Sequence, residues 1–241
     1  VELASRPPTI VHSGGGCLDG TSLVQVKTPT GSIAKTPIAN LQEGMEVMTI
    51  GENGSLEWSE IFFVDWDDEP VMMLQLTCEE GNDGCSSSPV RLTPDHVIFV
   101  DRPTAGTKPD VKHAIPIPAL DVRVGDYLFG FKLTGEGGGE LLGGVVEASQ
   151  VVTIGHLKVS SQYTVLTRAH RLLVEGRLVS CHVVNHQWGI ADNAILLALY
   201  NLSPQFATSS FNKWVCREWD SVFEPTAVFV RDSYRALLGN N

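Results

Sequence analysis

The chain has 241 residues, of which 43% are hydrophobic and 19% are charged. This length allows one large or two ordinary domains, each able to bury most of its apolar surface. The formal net charge of -11 repels phosphate backbones, so we expect no nucleic-acid partner. No stretch approaches the roughly 20 apolar residues that span a bilayer. We therefore expect a soluble, monomeric part of a longer precursor.

The cysteines set the next limits. The chain has five, Cys17, Cys78, Cys85, Cys181 and Cys216, too few for a disulfide scaffold. No Cys-x-x-Cys pair suggests zinc, and we expect neither a metal nor a cofactor. Cys78 and Cys85 flank a predicted hairpin and could pair across it in an oxidising compartment.

Residues 1–16 have the composition of a linker, with Pro7 and Pro8 near the start and a Ser-Gly-Gly-Gly run at the end. Short apolar runs separated by turn residues follow. With 23 Gly and 13 Pro, this pattern predicts an all-β body of short strands. The clearest predicted strands are residues 22–27 and 58–64, which carry β-branched and aromatic side chains. The predicted turns are residues 28–31, 52–55, 81–84, 135–139 and 174–176.

The character of the chain changes after Cys181. Residues 191–200 are rich in helix formers, and Asp192 is a plausible N-cap. The sequence therefore predicts a mainly helical tail from about residue 187.

Two pairs of segments repeat along the chain. Residues 38–47 match residues 119–128, with Gly44 aligned to Gly125. In the same order, the block Leu-Thr-Pro-Asp-His at 92–96 matches Leu-Thr-Arg-Ala-His at 166–170. Short motifs match by chance, but two pairs in one order indicate a duplicated β subdomain.

The Gly16-Cys17 pair is the first candidate for chemistry. A thiolate is the strongest protein nucleophile near neutral pH, and glycine has no side chain to block its approach to the preceding carbonyl. Attack would form a thioester if another group protonates the departing amide nitrogen. A lone Gly-Cys pair is weak evidence, because cysteine is commonly a small buried apolar residue.

Five ordered segments together resemble a known family, the Hint (Hedgehog/intein) domains. These are residues 16–21, 38–47, 59–65, 92–96 and 179–182. The fourth is similar to the Thr-x-x-His motif of the family, and the fifth to the Ala-Ser-Cys-Tyr run of Hedgehog Hint domains. The resemblance implies a horseshoe-like, pseudo-two-fold β fold over residues 17–184. Residues 1–16 would be the upstream flank, and 185–241 a C-terminal helical extension.

The resemblance also implies roles for individual side chains. Cys17 would attack the carbonyl of Gly16, and His96 would polarise or protonate the Gly16-Cys17 amide. Thr93 would hydrogen-bond and distort that peptide. The alternative for His96 is a structural histidine, since His170 occupies the matching position of the repeat.

Two further positions carry weaker predictions. Asp65 would deprotonate the oxygen nucleophile that resolves the thioester. It lies in an acidic run that is also typical of a solvated turn. Cys181 would lie near Cys17 as a redox or thiol-exchange partner, although simple burial explains it equally well.

The implied reaction is self-cleavage after Gly16, with the chain's own N-terminal flanking domain as substrate. Splicing needs a terminal asparagine, and Ser180 precedes Cys181 in that place. Water, a thiol or an alcohol such as a sterol would resolve the thioester. By resemblance we expect a secreted or secretory-pathway protein, with residues 185–241 as a possible acceptor-recognition region. Its aromatic residues could equally form the core of a small helical cap.

Three alternatives remain open. Intein-like splicing is the first. The second is a cysteine hydrolase acting on other proteins through Cys17 and one of the seven histidines. The third is a binding module of Hint descent that has lost its reactivity.

Overall fold

The computed structural model describes residues 17–79, 88–104, 106–133, 144–183 and 186–204. All of these lie in one compact unit, Gly16–Ser209. Side chains at 132, 133, 144, 188, 189, 191–193 and 195 are outside the description. Within the described residues, no helix is long and apolar enough to cross a membrane.

Strands make up most of the regular secondary structure of the described residues, and one α-helix follows them. The first seven strands are β1 Leu18–Asp19, β2 Leu23–Lys27, β3 Ile33–Pro37, β4 Glu46–Ile50, β5 Leu56–Asp67, β6 Val71–Cys78 and β7 Val90–Leu92. The next seven are β8 His96–Asp101, β9 Ile115–Pro118, β10 Tyr127–Leu133, β11 Gly144–Val159, β12 Gln162–Thr167, β13 Arg171–Val174 and β14 Arg177–Val183. Helix α1 spans His186–Leu202. The predicted β fold with a C-terminal helix is confirmed.

Hairpins join consecutive strands where turn residues were predicted. Gly31 and Gly54 adopt φ of 82° and 81° between β2 and β3 and between β4 and β5. Glu175 and Gly176 have φ of 50° and 73° in the turn between β13 and β14. Left-handed backbone at two successive residues is the conformation that a tight two-residue hairpin requires. The predicted turns at 81–84 and 135–139 lie outside the described residues.

The sequence repeat corresponds to a repeat of local structure. A short 3₁₀ turn follows Pro37 in the first copy and Pro118 in the second, with nearly identical dihedral angles at the two prolines. Gly44 and Gly125 then take φ of 86° and 101°, ahead of β4 and β10. The duplicated subdomain is confirmed at this level.

The two halves share their strands. β5 of the first half pairs with β12 of the second, and β6 pairs with β11. In the hydrogen-bonded order, β1 lies between β7 and β12, which places the N-terminal strand at the junction of the halves. One apolar cluster of the core is formed by Met48, Ile50, Phe99, Phe129, Phe131, Leu173 and Leu178.

Helix α1 begins close to the start near residue 187 that the sequence predicts. It starts at His186, so Asp192 lies inside the helix and the prediction of Asp192 as its cap is wrong. The side chain of His186 is buried against Phe99 and bonded to Ser180, which ties the start of the helix to β14. These contacts of His186, rather than a cap at Asp192, mark the start of the helix. The rest of the predicted helical tail, beyond residue 204, lies outside the described residues.

Candidate active site

Cys17 directly precedes strand β1, which lies between β7 and β12. Leu18, the next residue, lies opposite Leu92 of β7 on one side and Tyr163 of β12 on the other. Cys17 itself is 5% exposed. A strand only two residues long can keep this place because both of its edges are paired.

A buried carboxylate fixes the other end of β1. Asp19 accepts hydrogen bonds from the backbone and hydroxyl of Thr21, at 3.0 and 2.7 Å, and pairs with Arg91 of β7 at 2.9 Å. Burial opposes ionisation, but these hydrogen bonds hold the pKa of Asp19 below its usual range. The ionised group thus ties β1 to β7.

The turn between β7 and β8 contacts Cys17 directly. The backbone N–H of Cys17 donates to Oγ1 of Thr93 at 3.3 Å, and the N–H of Thr93 donates to the carbonyl of Cys17 at 3.0 Å. The N–H of His96 donates to the Thr93 carbonyl at 3.1 Å, closing the turn. Thr93 and His96 are each 1% exposed. The structure therefore brings together three of the predicted site residues.

The thiol of Cys17 faces β12. Its Sγ lies 3.9 Å from Oγ1 of Thr164. Burial raises the pKa of the thiol to about 12; the Thr164 hydroxyl opposes this shift, whereas the charges of Asp95, Asp67 and Asp65 add to it. The side chain is therefore a neutral thiol at neutral pH.

Asp65 lies on β5 opposite Thr164 of β12. Its charge contributes to the raised pKa of Cys17, so the carboxylate lies within electrostatic reach of the thiol. This strand position differs from the solvated turn that the acidic run also allowed, because β5 continues through Asp67.

The ring of His96 contacts β14. Its Nε2 lies 2.7 Å from the carbonyl oxygen of Ser180. Because a carbonyl can only accept, Nε2 carries the proton, and Nδ1 is the nitrogen through which this ring can take up or release another.

Cys181 is the residue after that carbonyl and is a free, buried thiol. Its Sγ lies 3.5 Å from Oγ1 of Thr167, and burial raises its pKa to about 11. Its backbone N–H donates to the carbonyl of His170 at 3.0 Å. Cys181 therefore adjoins the site through Ser180, and its thiol contacts the second copy of the repeated turn.

Three histidines form a cluster next to Ser180, namely His170, His182 and His186. Sequence reasoning gave none of them a role in the site. Nε2 of His182 lies 3.2 Å from Nδ1 of His170, and the rings of His182 and His186 are 5.5 Å apart. Burial, followed by the charges of the other histidines, lowers the pKa of His182 to about 3. Burial and the charge of Arg171 lower that of His186 to about 4. Across the described ranges, no group of three or more His, Cys, Asp or Glu side chains could hold a metal ion.

The far end of α1 has its own contacts with the sheet. The hydroxyl of Tyr200 donates to Glu60 of β5 at 2.8 Å, and Arg168 pairs with the same carboxylate at 2.6 Å. The helix is thus fastened at both ends, at His186 near the site and at Tyr200 away from it.

Sequence reasoning missed Thr164, Ser180 as a carbonyl acceptor, and the three histidines. Thr164 belongs to no motif and reaches Cys17 only through strand pairing. His182 and His186 follow the recognised Ser180-Cys181 pair closely in the sequence. This clustering of imidazoles was the one available signal for their place near the site.

Comparison with known proteins agrees with this geometry. A family model described as the Hint module matches residues 6–217. The chain belongs to the Hint family. Among curated proteins, no match was found.

Solved structures of inteins are similar to this chain in fold. A variant of the Ssp DnaB mini-intein is 14% identical and matches over 70% of this chain and 96% of its own, with a TM-score of 0.52. An intein from a hyperthermophile is 14% identical and matches over 69% and 99%, with a TM-score of 0.51. At such identities these inteins support the Hint fold and no finer assignment.

Proposed function

We propose that this chain cleaves its own Gly16-Cys17 peptide bond by an N-to-S acyl shift, in a single turnover. The observation that carries the proposal is the contact between Cys17 and Thr93. The amide nitrogen of the bond proposed to break donates to a threonine hydroxyl at 3.3 Å, and both residues are buried. Gly16 lies outside the described residues, and the Cys17 side of the bond supplies the geometry.

In the first step, Sγ of Cys17 attacks the carbonyl carbon of Gly16. The carbon–sulfur bond forms, the carbon–nitrogen bond breaks, and the freed amide nitrogen of Cys17 becomes an amine by taking one proton. His96 is the proposed carrier of that proton: Nδ1 takes it from the Cys17 thiol and delivers it to the departing nitrogen, while Nε2 stays bonded to Ser180. The proton lost by the thiol balances the one donated.

Thr93 positions the bond for this step. An amide nitrogen that donates to Thr93 is held in one orientation, and the return bond from the N–H of Thr93 to the Cys17 carbonyl locks it. Fixing the reacting groups in this way removes rotational freedom before the chemistry starts.

The raised pKa of Cys17 keeps the unreacted precursor stable. At about 12, it leaves only a small fraction of thiolate near neutral pH. The first step should therefore accelerate with rising pH, as long as His96 can still supply a proton.

Asp65 is the proposed base of the second step. Its place opposite Thr164, within electrostatic reach of Cys17, suits removal of a proton from an attacking water or alcohol. Loss of the proton converts that oxygen into the nucleophile that displaces the thioester sulfur, which leaves as the Cys17 thiol. The proposed acceptors are water, a small thiol, or an alcohol such as a sterol, by resemblance to Hedgehog proteins of the secretory pathway.

Cleavage is favoured over splicing by the chemistry of Ser180. Splicing frees the downstream flank through cyclisation of an asparagine side chain, and a serine has no amide to cyclise. Ser180 lies inside β14, which continues to Val183. The hydroxyl is already bonded to His186 at 2.8 Å.

The experiment uses the chain with a reporter domain fused before Val1. The purified precursor is incubated in buffer alone, with dithiothreitol, with hydroxylamine or with a sterol, and the released N-terminal piece is weighed by mass spectrometry. We expect a piece that ends at Gly16, whose terminal mass identifies the acceptor. Cys17→Ala should give none.

Asp65→Asn separates the two steps. We expect this variant to retain hydroxylamine cleavage, because hydroxylamine resolves the thioester without a base, and to lose cleavage by water or an alcohol. A precursor that stays uncleaved in every condition would contradict the proposal and favour a binding module that has lost its reactivity. Cleavage of an added second protein would favour the cysteine hydrolase.

A further inference from the structure

We infer that His186, the first residue of α1, is a positioning residue for the first step and acts on His96 through Ser180. The inference rests on the proposed function for the reaction and on the structure for the contacts. It makes the start of the C-terminal helix a part of the machinery that forms the thioester.

Two hydrogen bonds through one serine carry the connection. Nδ1 of His186 lies 2.8 Å from the Ser180 hydroxyl, and the carbonyl of the same serine lies 2.7 Å from Nε2 of His96. The hydroxyl also accepts from the backbone N–H of His182 at 3.0 Å. The direction of the Ser180 carbonyl therefore depends on bonds made by its own side chain.

Strand pairing leaves that direction incompletely fixed. The register between β14 and β8 shifts between Val179 and Val183, so the ladder facing His96 is irregular around Ser180. On its other side β14 is paired regularly, with Ser180 opposite Arg171 of β13. The bond to His186 supplies the restraint on the side where the regular ladder is interrupted.

His186 is itself rigidly held. It is 4% exposed, and its ring packs edge-on against Phe99 of β8, with 5.1 Å between the ring centres. Phe99 and His96 belong to the same strand. A fixed His186 thus stabilises one position of the Ser180 carbonyl, and that carbonyl keeps the proton of His96 on Nε2.

The consequence for catalysis concerns the protonation of His96. With Nε2 committed to Ser180, the proton exchanged with the Cys17 amide passes through Nδ1. Without His186, the carbonyl can turn, the His96 ring can rotate, and fewer molecules hold a ring ready to donate. We expect a slower first step with an intact fold.

The test compares His186→Ala with His186→Asn. The side-chain amide of Asn can occupy the position of Nδ1 and restore the bond to Ser180. We expect His186→Ala to slow hydroxylamine cleavage about 10-fold to 100-fold, and His186→Asn to recover most of the rate. Equal rates in the two variants, or a parental rate in His186→Ala, would overturn the inference.

Tyr200→Phe is the matched control. It removes the hydrogen bond between α1 and Glu60 at the other end of the helix and leaves Ser180 untouched. We expect a rate within about threefold of the parent, because the lost hydrogen bond contributes to helix docking and not to the Ser180 contact. A loss as large as that of His186→Ala would mean that general docking of the helix, rather than the Ser180 bond, supports the reaction.

Ser180→Ala completes a double-mutant cycle. It keeps the carbonyl and removes the hydroxyl, so it should slow the first step as His186→Ala does, and the combined variant should be no slower. Multiplying effects in the combined variant would show that the two residues act separately.

A second readout does not depend on cleavage. Nitrogen NMR of histidine-labelled chain reports which ring nitrogen of His96 is protonated. We expect the Nε2-protonated form in the parent and in His186→Asn, and a mixture of tautomers in His186→Ala. If the parent fails to cleave, the proposed function fails, whereas an unchanged His96 signal in His186→Ala refutes the positioning role.

Discussion

The two copies of the Thr-x-x-His turn share one backbone hydrogen bond and have different neighbours. In both, the histidine N–H donates to the threonine carbonyl, at 3.1 Å in the first copy and 2.9 Å in the second. Thr93 offers its hydroxyl to the amide of Cys17, whereas Thr167 donates its own to the carbonyl of Arg171 at 3.0 Å. The first hydroxyl thus contacts the peptide bond that we propose is cleaved, and the second closes its own turn.

The histidines differ in the same way. His96 begins β8 and points its Nε2 at Ser180, whereas His170 adopts a left-handed φ of 58° and contacts His182. The same turn therefore has two sets of neighbours, and only the first copy contacts Cys17 in the described residues through its threonine hydroxyl. Cys17 opens a strand, while Cys181 lies inside one, with neighbouring residues of β14 on both sides.

The largest expected effect separates the two histidines. His96→Ala should slow hydroxylamine cleavage by about 100-fold to 10,000-fold, because it removes the proposed proton donor. His170→Ala should slow it less than about 10-fold, since His170 contacts the cluster rather than Cys17. The rates are read from the appearance of the N-terminal piece by mass. Similar losses in both variants would erase the distinction between the copies.

Loss of stability in acid should originate in the histidines that cluster beside the second copy of the turn. The pKa values of His182 and His186 fall from 6.5 to about 3 and about 4 on folding, so the unfolded chain binds protons first as the pH drops. The contribution of these two histidines to the free energy of unfolding is complete above pH 6.5 and is lost as the pH falls towards 4. Each pH unit in this window should cost up to about 1.4 kcal/mol per histidine.

Urea unfolding at a series of pH values measures this loss. His182→Gln keeps a hydrogen-bonding group beside His170 but does not titrate, so its stability should fall less steeply between pH 6.5 and 4. His156→Gln on β11, outside the cluster, should follow the parent curve. A steep parental loss that persists in His182→Gln would place the sensitivity elsewhere.

The threonines should divide between rate and stability. Thr167→Val leaves the carbonyl of Arg171 without this donor and should lower the free energy of unfolding by about 1 to 3 kcal/mol, with little change in the first step. Thr93→Val should slow the first step by roughly tenfold or more. Urea titration and hydroxylamine cleavage measure the two quantities. Thr93→Ser and Thr167→Ser keep the hydroxyl and should remain close to the parent.

The smallest expected effect tests whether the repeat is real at the level of its turns. Gly44→Ala and Gly125→Ala force a side chain into left-handed backbone and should each cost about 1 to 2 kcal/mol. Gly155→Ala, where the nearest atom to a new Cβ is 3.9 Å away, is the matched control and should be tolerated. A large cost at one glycine alone would show that the turns are not equivalent.

The sequence predicted features that depend on local chemistry. Short apolar runs and glycine turns predicted the strands, and the paired motifs predicted the duplication that Pro37 and Pro118 mark in the structure. The motifs also predicted that Cys17, Thr93 and His96 would meet, and the contacts with Thr93 bring them together. The proposed roles of these residues remain predictions, as do the domain boundaries at 16 and 184.

Other features depend on contacts between distant segments and left no local signal. Thr164 reaches Cys17 because β12 crosses from the second half to pair with β5 of the first. The contacts of His186 with Ser180 and Phe99 join α1 to β14 and β8, and no propensity scale includes them. The possible pairing of Cys78 with Cys85 lies outside the described residues.

Strand β1 has a consequence for the molecule after the reaction. Its pairing with β7 and β12 involves Leu18, and Asp19 is bonded to Arg91, all downstream of the bond that would be broken. Departure of the upstream chain therefore leaves Cys17 in place, with a new amine enclosed beside its own sulfur. Before that departure, while the thioester is still in place, this amine can attack it and restore the peptide bond, so the forward yield depends on how fast an outside acceptor arrives. The cleaved domain would have no further bond to cleave but would retain its original fold.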